Sequence, residues 1–317
     1  MGSAIFIPTS VSMIAEEIEQ GPGRDILEAV GKLGGSVDTA EEITRLRAPW
    51  SRQACFRLQL TDGRIVKARR FESAKKRESV AALYPSLEGL PFSRVLSTHG
   101  AATIEEWIHG SPVTPGDLSP ERIHELASLL GTLHSRCIPP EISTGRTRDF
   151  AGYSSRLSKH LSLLAEQGHV GTQFSRELFG LAVSRGAVEL ERGIIHTDFH
   201  PRNMVTSEDG VVWIIDNEDI RLGALDYDIA RCWRQWPMTR EQRDVFCKAY
   251  SRFRSLESFL AHQEFWSICT LVNTAKIRMR YQKPLQPFLT QLEQISQGSE
   301  SALWPERSSD DDSKYTG

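Results

Sequence analysis

Residues 193–216, which read GIIHTDFHPRNMVTSEDGVVWIID, place acidic and amide side chains in one short stretch. Asp198 follows a short apolar run, Asn203 comes five residues later, and Asp216 ends a second apolar run. Phosphoryl transfer needs one carboxylate to orient the attacking hydroxyl and oxygen ligands to hold Mg²⁺ on the nucleotide phosphates. Carboxylate and amide oxygens are ligands that Mg²⁺ prefers. The stretch therefore predicts an active-site loop, with Asp198 as the catalytic base and Asn203 and Asp216 as metal ligands.

The same stretch carries a family resemblance. HTDFHPRN matches the kinase catalytic-loop pattern HxDxxxxN, and IID matches the metal-binding Asp that follows it. With His200 and Pro201 before the Asn, and with IDNEDIRLGALDYDIA after it, the chain resembles the aminoglycoside phosphotransferase and choline kinase-like families rather than protein kinases. The resemblance implies a protein-kinase-like fold, a Mg²⁺ cofactor, ATP or GTP as co-substrate, and phosphorylation of a hydroxyl group on a small molecule.

The histidines of this loop allow other interpretations. His196 is expected to hold the loop by hydrogen bonding rather than to perform chemistry. His196, Asp198 and His200 together spell a possible metal cluster, but the sequence suggests no further His or Cys ligands, and Asn203 would be left without a role. Asp228 resembles the family's Asp that braces the catalytic loop from the start of a helix.

The segment before this loop is expected to bind the nucleotide. Residues 55–60 and 64–71 alternate apolar and polar side chains around a Thr-Asp-Gly turn, which predicts a β-hairpin with Lys67 on its second strand. A charged helix containing Glu78 is expected next. The resemblance implies that Lys67 contacts the α- and β-phosphates and that Glu78 fixes its ammonium group. Glu72 and Glu88 are further candidates for that role. The alternative for Lys67 is a solvent-exposed lysine with no functional contact.

Two further nucleotide contacts follow from the resemblance. Glu106 and Ile108, in the context EEWIHG, resemble the hinge whose backbone faces adenine, although an edge strand running into a turn would look the same. Ser51 is a candidate phosphate contact. Its segment, residues 47–56, has no glycine where the family has a Gly- or Ser-rich turn. This departure keeps open an alternative function, a catalytically inactive pseudokinase that acts as a nucleotide-binding or scaffold protein.

The fold class predicted from these elements is α+β, a two-lobed protein-kinase-like fold with a sheet-rich N-terminal lobe and a mainly helical C-terminal lobe. Residues 1–108 would form the nucleotide-binding lobe, 109–305 the catalytic and substrate lobe, and 306–317 a disordered tail. Ser119 predicts a helix N-cap before Pro120. Further helices are expected at about 12–34, in two pieces, and at about 153–167, 172–190, 239–260 and 263–281.

Composition limits the possible partners. The chain has 317 residues and a formal net charge of -3, which disfavours nucleic acid as a partner. Its five cysteines are odd in number and widely spaced, so we expect no disulfide framework and a cytoplasmic location. We expect no membrane partner, since no run reaches the roughly 18 apolar residues of a membrane-spanning helix. The expected partners are a nucleotide and a small-molecule hydroxyl acceptor.

One charge pattern bears on the acceptor. Residues 240–283 contain nine Lys or Arg and four Asp or Glu, a balance of +5. In kinases of this kind these helices help to wall the acceptor pocket, so the excess disfavours a polycationic aminoglycoside. The alternative is that these charges are the solvated faces of helices. The acceptor's identity, the choice between ATP and GTP and the oligomeric state stay open.

Overall fold

The computed structural model describes residues 23–44, 53–138, 149–186, 189–236 and 238–303. The chain divides into two compact units. The N-terminal unit comprises residues 1–85, 91–110 and 205–218, and the C-terminal unit comprises residues 86–90, 111–204 and 219–317. The N-terminal unit thus takes in a segment around Asp216 that the sequence division placed in the second lobe, whereas Asp198 and Asn203 belong to the C-terminal unit. The division at residue 108 stays a prediction, and the tail 306–317 lies outside the described residues.

The described residues form strands and helices that are numbered here along the chain. The strands are β1 (Val37–Glu42), β2 (Ala54–Leu60), β3 (Ile65–Arg70), β4 (Val95–His99), β5 (Ala102–Glu106), β6 (Ser111–Pro112), β7 (Arg192–Ile195), β8 (Met204–Thr206), β9 (Val212–Ile214) and β10 (Arg221–Ala224). The helices are α1 (Gly23–Gly31), α2 (Ala74–Ala81), α3 (Pro120–His134), α4 (Phe150–Glu166), α5 (Thr172–Ser184), α6 (Leu225–Gln235), α7 (Arg240–Tyr250), α8 (Glu257–Ala261), α9 (Gln263–Arg280), α10 (Gln286–Ser296) and α11 (Glu300–Leu303).

An antiparallel sheet with the strand order β1-β2-β3-β5-β4 organises the N-terminal unit. The predicted hairpin is confirmed: β2 pairs with β3, and the turn between them contains Gly63 at φ +85°, a backbone conformation that glycine adopts without strain. Successive side chains along β3 and β5 point alternately to the two faces of the sheet. Val66, Ala68 and Ile104 are buried in the apolar core with α1, while Lys67 and Glu105 point to the opposite face.

The C-terminal unit is mainly helical. The predicted cap is confirmed, since Ser119 accepts a hydrogen bond from the Arg122 N–H at the start of α3. The helices expected at about 153–167 and 263–281 correspond to α4 and α9, and α5 ends at Ser184, short of the predicted end at 190. The single helix expected at 239–260 is wrong: α7 ends at Tyr250 and α8 begins at Glu257. The first piece of the helix expected at 12–34 lies outside the described residues.

Two short strands position the loop that carries Asp198. β7 pairs antiparallel with β10, and both Ile194 and Ile195 of β7 are fully buried. Burial of this apolar strand fixes the point at which the chain leaves the sheet, so that the polar residues from His196 onward form a loop. None of the helices in the described ranges has both the length and the apolar character needed to cross a bilayer.

Candidate active site

The loop after β7 is held in an uncommon backbone conformation. Thr197 has φ +65°, in the left-handed region that non-glycine residues seldom occupy. Asp228, in the first turn of α6, accepts hydrogen bonds from the backbone N–H groups of both His196 and Thr197, each at 2.7 Å. The Thr197 hydroxyl also donates to the Asp219 carbonyl oxygen at 3.3 Å. These bonds stabilise a backbone geometry that costs about 1–3 kcal/mol by itself.

Asp228 is itself part of a buried network. Its carboxylate is fully buried and lies 3.2 Å from His134 Nε2, while His134 Nδ1 lies 2.7 Å from the Tyr250 hydroxyl. Burial alone would raise the pKa of Asp228, but the hydrogen bond from His134 and the neighbouring imidazoles and amides hold it below its ordinary value. The anionic form therefore persists at neutral pH and can accept from both loop N–H groups.

The middle of the loop is anchored by apolar contacts. Phe199 is buried, stacks on Trp236 with ring centroids 5.7 Å apart, and meets the edge of His196 at 5.9 Å. The Trp236 indole N–H donates to the Phe199 carbonyl oxygen at 2.8 Å. His196 Nδ1 in turn accepts from the Asp198 N–H at 3.3 Å, in keeping with the loop-holding role expected for this histidine. Asp198 therefore projects from a loop fixed on both sides.

Three side chains hold the Asp198 carboxylate. Asp198 Oδ1 accepts from Arg231 Nη2 at 3.0 Å and from Gln235 Nε2 at 3.2 Å, and Asp198 Oδ2 accepts from Asn203 Nδ2 at 2.7 Å. Asn203 Nδ2 also donates to the Asp198 carbonyl oxygen at 3.1 Å. The Asp198 side chain is nevertheless 45 % exposed. A carboxylate that is fixed in orientation and still open can receive a hydrogen bond from a hydroxyl group.

His200 adds no positive charge at neutral pH. Desolvation lowers its pKa to about 4, against the opposing effect of Asp198, and Arg202 and Arg231 act in the same direction as desolvation. Its Nδ1 accepts from the Arg202 N–H at 3.0 Å, which begins the short helical turn Pro201–Asn203. Within the described residues no group of three or more His, Cys, Asp and Glu side chains could hold a metal ion, so the histidine cluster weighed above gains no support.

In the N-terminal unit, Lys67 has a partner other than the one expected. Lys67 and Glu105 lie directly opposite each other on β3 and β5, and Lys67 Nζ is 3.7 Å from Glu105 Oε2. Lys67 Nζ also donates to the Ile215 carbonyl oxygen. The predicted partner Glu78 is wrong: it pairs with Arg77 at 3.3 Å, and its side chain is 64 % exposed. Cross-strand register brings Glu105 to Lys67, whereas Glu78 sits on the solvent side of α2.

Asp216 lies beside a buried arginine of the same unit. Arg69, two residues after Lys67 on the same face of β3, donates to Asp216 Oδ1 at 2.5 Å and pairs with Glu218. Arg69 Nε is also 3.6 Å from Glu105 Oε1. Burial opposes the charge on Arg69, but Asp216 and Glu218 hold the pKa of its guanidinium well above the ordinary value. The Asp216 side chain remains 34 % exposed.

The segment after β5 keeps its backbone groups available. The Glu106 carboxylate pairs with Arg94 at 2.9 Å, and the Glu106 N–H donates to the Arg94 carbonyl oxygen at 2.8 Å. Residues 107–109 continue beyond the sheet. Among the described residues, none hydrogen-bonds the N–H or C=O of Ile108. Open backbone groups at the end of a strand suit the edge of a planar heterocycle. Ser51, the candidate phosphate contact, lies outside the described residues.

Several side chains in these networks escaped the sequence-based prediction, namely Arg69, Glu105, His134, Arg231 and Gln235. Glu105 and Arg69 could have been found, because strand alternation places both on the face of Lys67. Arg231 and Gln235 lie one helical turn apart on α6, three and seven residues after Asp228, so they share its face. The sequence carried no signal for His134, which comes from the distant helix α3.

The comparisons with known proteins point to one family. The family model described as the phosphotransferase enzyme family matches residues 42–262. No curated protein shows significant sequence similarity to the chain.

Solved structures resemble the chain in fold. Plasmodium vivax ethanolamine kinase has a TM-score of 0.61 at 15% identity, over 82% of this chain and 84% of that one. The ADP-bound aminoglycoside phosphotransferase APH(2'')-Ib has a TM-score of 0.60 at 15% identity, over 93% of this chain and 99% of that one. A complex of another aminoglycoside phosphotransferase with GDP and kanamycin has a TM-score of 0.60 at 14% identity, over 84% and 94% of the two chains. The predicted protein-kinase-like α+β fold is confirmed.

Proposed function

The chain belongs to the phosphotransferase enzyme family, and from this premise we propose that it transfers the γ-phosphoryl group of ATP or GTP to a hydroxyl group of a small molecule. The pseudokinase alternative receives no support from the family or from the structural neighbours. The observation that carries the proposal is the Asp198 carboxylate, which three donors fix in orientation while its side chain stays 45 % exposed.

Asp198 is proposed as the catalytic base. It would accept a hydrogen bond from the acceptor hydroxyl and take its proton as the hydroxyl oxygen bonds to the γ-phosphorus. The bond between that phosphorus and the bridging oxygen breaks, and the nucleoside diphosphate leaves with the electron pair. Because Arg231 and Gln235 both hold Oδ1, while only Asn203 holds Oδ2, the carboxylate cannot rotate away from the hydroxyl without losing these hydrogen bonds.

Asn203 and Asp216 are proposed as ligands of Mg²⁺, which would neutralise charge on the transferred phosphoryl group when bound. Their chemistry suits the ion, since both offer hard oxygen ligands. Asn203 donates through Nδ2 to Asp198, so its amide is oriented with Oδ1 on the other side, where no donor from the described residues contacts it. The Asp216 carboxylate pairs with Arg69 at 2.5 Å, and its side chain is 34 % exposed.

The nucleotide is assigned to residues of the N-terminal unit. Lys67 is proposed to contact the phosphates, with Glu105 rather than Glu78 holding its ammonium group, since the two side chains lie 3.7 Å apart on neighbouring strands. The backbone of Ile108 is proposed to meet the base, together with that of Glu106, whose N–H already donates to the Arg94 carbonyl oxygen at 2.8 Å. Ser51 remains a predicted phosphate contact, and the cytoplasmic location remains a prediction.

A coupled assay of nucleoside diphosphate formation tests the proposed function. Purified protein with Mg²⁺ and either ATP or GTP is screened against hydroxylated metabolites and antibiotics. Asp198→Asn should abolish transfer and leave nucleotide affinity within a few-fold, because the carboxylate meets the acceptor. Asp216→Asn should weaken Mg²⁺-dependent nucleotide binding. Asp209→Asn, which changes an exposed carboxylate in the turn between β8 and β9, is the matched control. Equal loss of nucleotide binding in the Asp198 and Asp216 variants would refute these roles.

A further inference from the structure

A cavity of about 420 Å³ lies against α4 and α9 in the C-terminal unit. Its polar lining consists of Ser155, Arg156, Lys159 and His160 from α4 and Lys276 from α9. The α4 residues recur at three- and four-residue intervals, so they lie on one face of that helix. The volume is within the usual range for pockets that hold a whole small molecule.

Three of the seven lining residues are cationic, namely Arg156, Lys159 and Lys276. Arg156 is held in place, because its Nη2 donates to Asn273 Oδ1 on α9 at 2.9 Å. One guanidinium carries five N–H donors, so this bond uses only a part of what Arg156 offers. Within the described ranges, neither Arg156 nor Lys159 nor Lys276 forms an ion pair with a carboxylate.

Acidic residues of the two helices lie elsewhere. Glu166 is exposed at the last position of α4, and Glu264, in the first turn of α9, pairs with Arg185 at 3.3 Å. Lys276 lies three turns further along α9. The acid nearest to the cavity is Asp149, the N-cap of α4, which accepts from the N–H of the lining residue Gly152 at 2.8 Å. Within the described ranges it forms no ion pair with the three cationic side chains of the lining, which outnumber it.

The crowding of like charges affects Lys276 directly. Partial burial lowers the pKa of its ammonium group, and the charges of Arg280, Arg156 and Lys159 lower it further. A bound anion would reverse these repulsions, since an opposite charge nearby favours the ammonium form. The cavity is thus arranged to gain electrostatic free energy from an anion and to lose it with a cation.

We propose that this cavity binds the acid group, a carboxylate or a phosphate, of a small organic anion. The assignment of that anion as the phosphoryl acceptor rests on the proposed function. α9 packs against both α4 and α6, and α6 carries the Arg231 and Gln235 that hold Asp198. The cavity and the proposed base thus belong to one packed group of helices in the same unit.

Matched pairs of probes test binding without nucleotide. Isothermal titration of the full-length protein compares glycerol 3-phosphate with glycerol, gluconate with glucose, and inorganic phosphate alone. We expect the two organic anions to bind at least tenfold more tightly than their neutral partners. The comparison of glycerol 3-phosphate with gluconate distinguishes a phosphate site from a carboxylate site. Binding of the neutral partners with equal affinity would overturn the proposal.

Variants locate the site. Lys276→Gln and Lys159→Gln should each weaken binding of the preferred anion about tenfold, whereas Lys248→Gln on α7, which removes an exposed charge outside the cavity, should not. Lys159 is exposed, so its variant tests the cavity even if Lys276→Gln, at a half-buried position, impairs folding. Anion affinity that is lost equally in Lys248→Gln would show a general charge effect and contradict the proposal.

Transfer assays separate this inference from the proposed function. With Mg²⁺ and nucleotide, the hydroxylated anions should be phosphorylated and the cavity variants should raise their KM. Phosphorylation of neutral or polycationic acceptors with unchanged kinetics in Lys276→Gln would overturn the cavity assignment and leave the phosphotransferase function intact. Tight anion binding that the variants abolish, with no transfer to any acceptor, would support the cavity and count against the proposed function.

Discussion

Arg231 Nη2 lies 3.0 Å from Asp198 Oδ1, and the arginine side chain is only 12 % exposed while the aspartate side chain is 45 % exposed. The two residues come from different elements, the loop after β7 and the helix α6. Although burial opposes its charge, the neighbouring Tyr227 and Asp198 raise the pKa of Arg231. A buried cation thus holds one oxygen of an open carboxylate, which makes Arg231 a positioning residue for the proposed base.

Arg231→Met should lower kcat about 10- to 100-fold and leave the KM for nucleotide within a few-fold, because the guanidinium contacts Asp198 and not the phosphates. Steady-state kinetics with a saturating acceptor give the two constants. Arg234→Met is the matched control, since Arg234 lies on the same helix and donates to Gln291 at 3.0 Å. A parallel rise in nucleotide KM would show that Arg231 does more than position Asp198.

Whether Glu105 or Glu78 is the functional partner of Lys67 can be tested directly. Glu105→Gln should raise the KM for nucleotide tenfold or more, because Glu105 is 3.7 Å from Lys67 and both side chains are buried. Glu78→Gln should leave it within about twofold, since Glu78 is 64 % exposed and pairs with Arg77. Circular dichroism spectra should match the unmodified protein's if both variants fold. The reverse order of effects would restore Glu78 as the partner of Lys67.

The sequence was sufficient for features that depend on local patterns. The β2–β3 hairpin followed from alternation around a Gly63 turn, and the start of α3 followed from the Ser119 cap. The Lys67 partner was missed because strand pairing between β3 and β5 spans nearly forty residues, and register is set by the sheet as a whole. The helix after the strand of Lys67 offered Glu78 as a candidate, but proximity along the chain does not fix where a side chain points.

The loop that carries Asp198 likewise depends on contacts that a local sequence pattern does not predict. HTDFHPRN indicated Asp198 and Asn203, but no local pattern gave the donors that orient them. Arg231 and Gln235 reach Asp198 because α6 begins at the end of β10 and runs beside the loop. The buried chain from Tyr250 through His134 to Asp228 joins three separate helices, and single-sequence patterns carry no information on such contacts.

Because the pKa of His200 is lowered in the folded protein, the stability of the protein should fall at acidic pH. Its pKa is about 4 in the folded protein, against an ordinary value of 6.5. The unfolded chain therefore binds the proton more tightly, so the stability contributed by neutral His200 is fully present above about pH 6.5 and is lost as pH falls to about 4. Urea denaturation at pH 7 and pH 5 should show a smaller loss of unfolding free energy in His200→Asn than in the unmodified protein. Identical losses would contradict the shifted pKa.

Asp228 and Asp226 provide a matched test of how the loop is held. Both are buried in the first turn of α6, but their environments shift their pKa values in opposite directions. Burial raises the pKa of Asp226, which accepts from the Ser258 hydroxyl at 2.7 Å. Despite burial, His134 and the loop amides lower the pKa of Asp228. Of the two carboxyl groups, only that of Asp228 thus has its pKa held below the ordinary value by the groups that contact it.

Asp228→Asn should lower the free energy of unfolding by about 3 kcal/mol or more, because the new amide NH₂ would face a backbone N–H and leave buried donors without an acceptor. Asp226→Asn should lower the free energy of unfolding by clearly less than Asp228→Asn does. The stabilisation from Asp228 is present above its ordinary pKa of 3.8 and is lost as pH falls through the lower folded value. The kcat should fall with Asp228→Asn even at temperatures where the variant is folded, since an Asn amide can accept only one of the two backbone hydrogen bonds, from His196 and Thr197, that hold Thr197 at φ +65°. Equal destabilisation by the two variants, measured by urea denaturation at pH 7, would show that burial and not charge accounts for the effect.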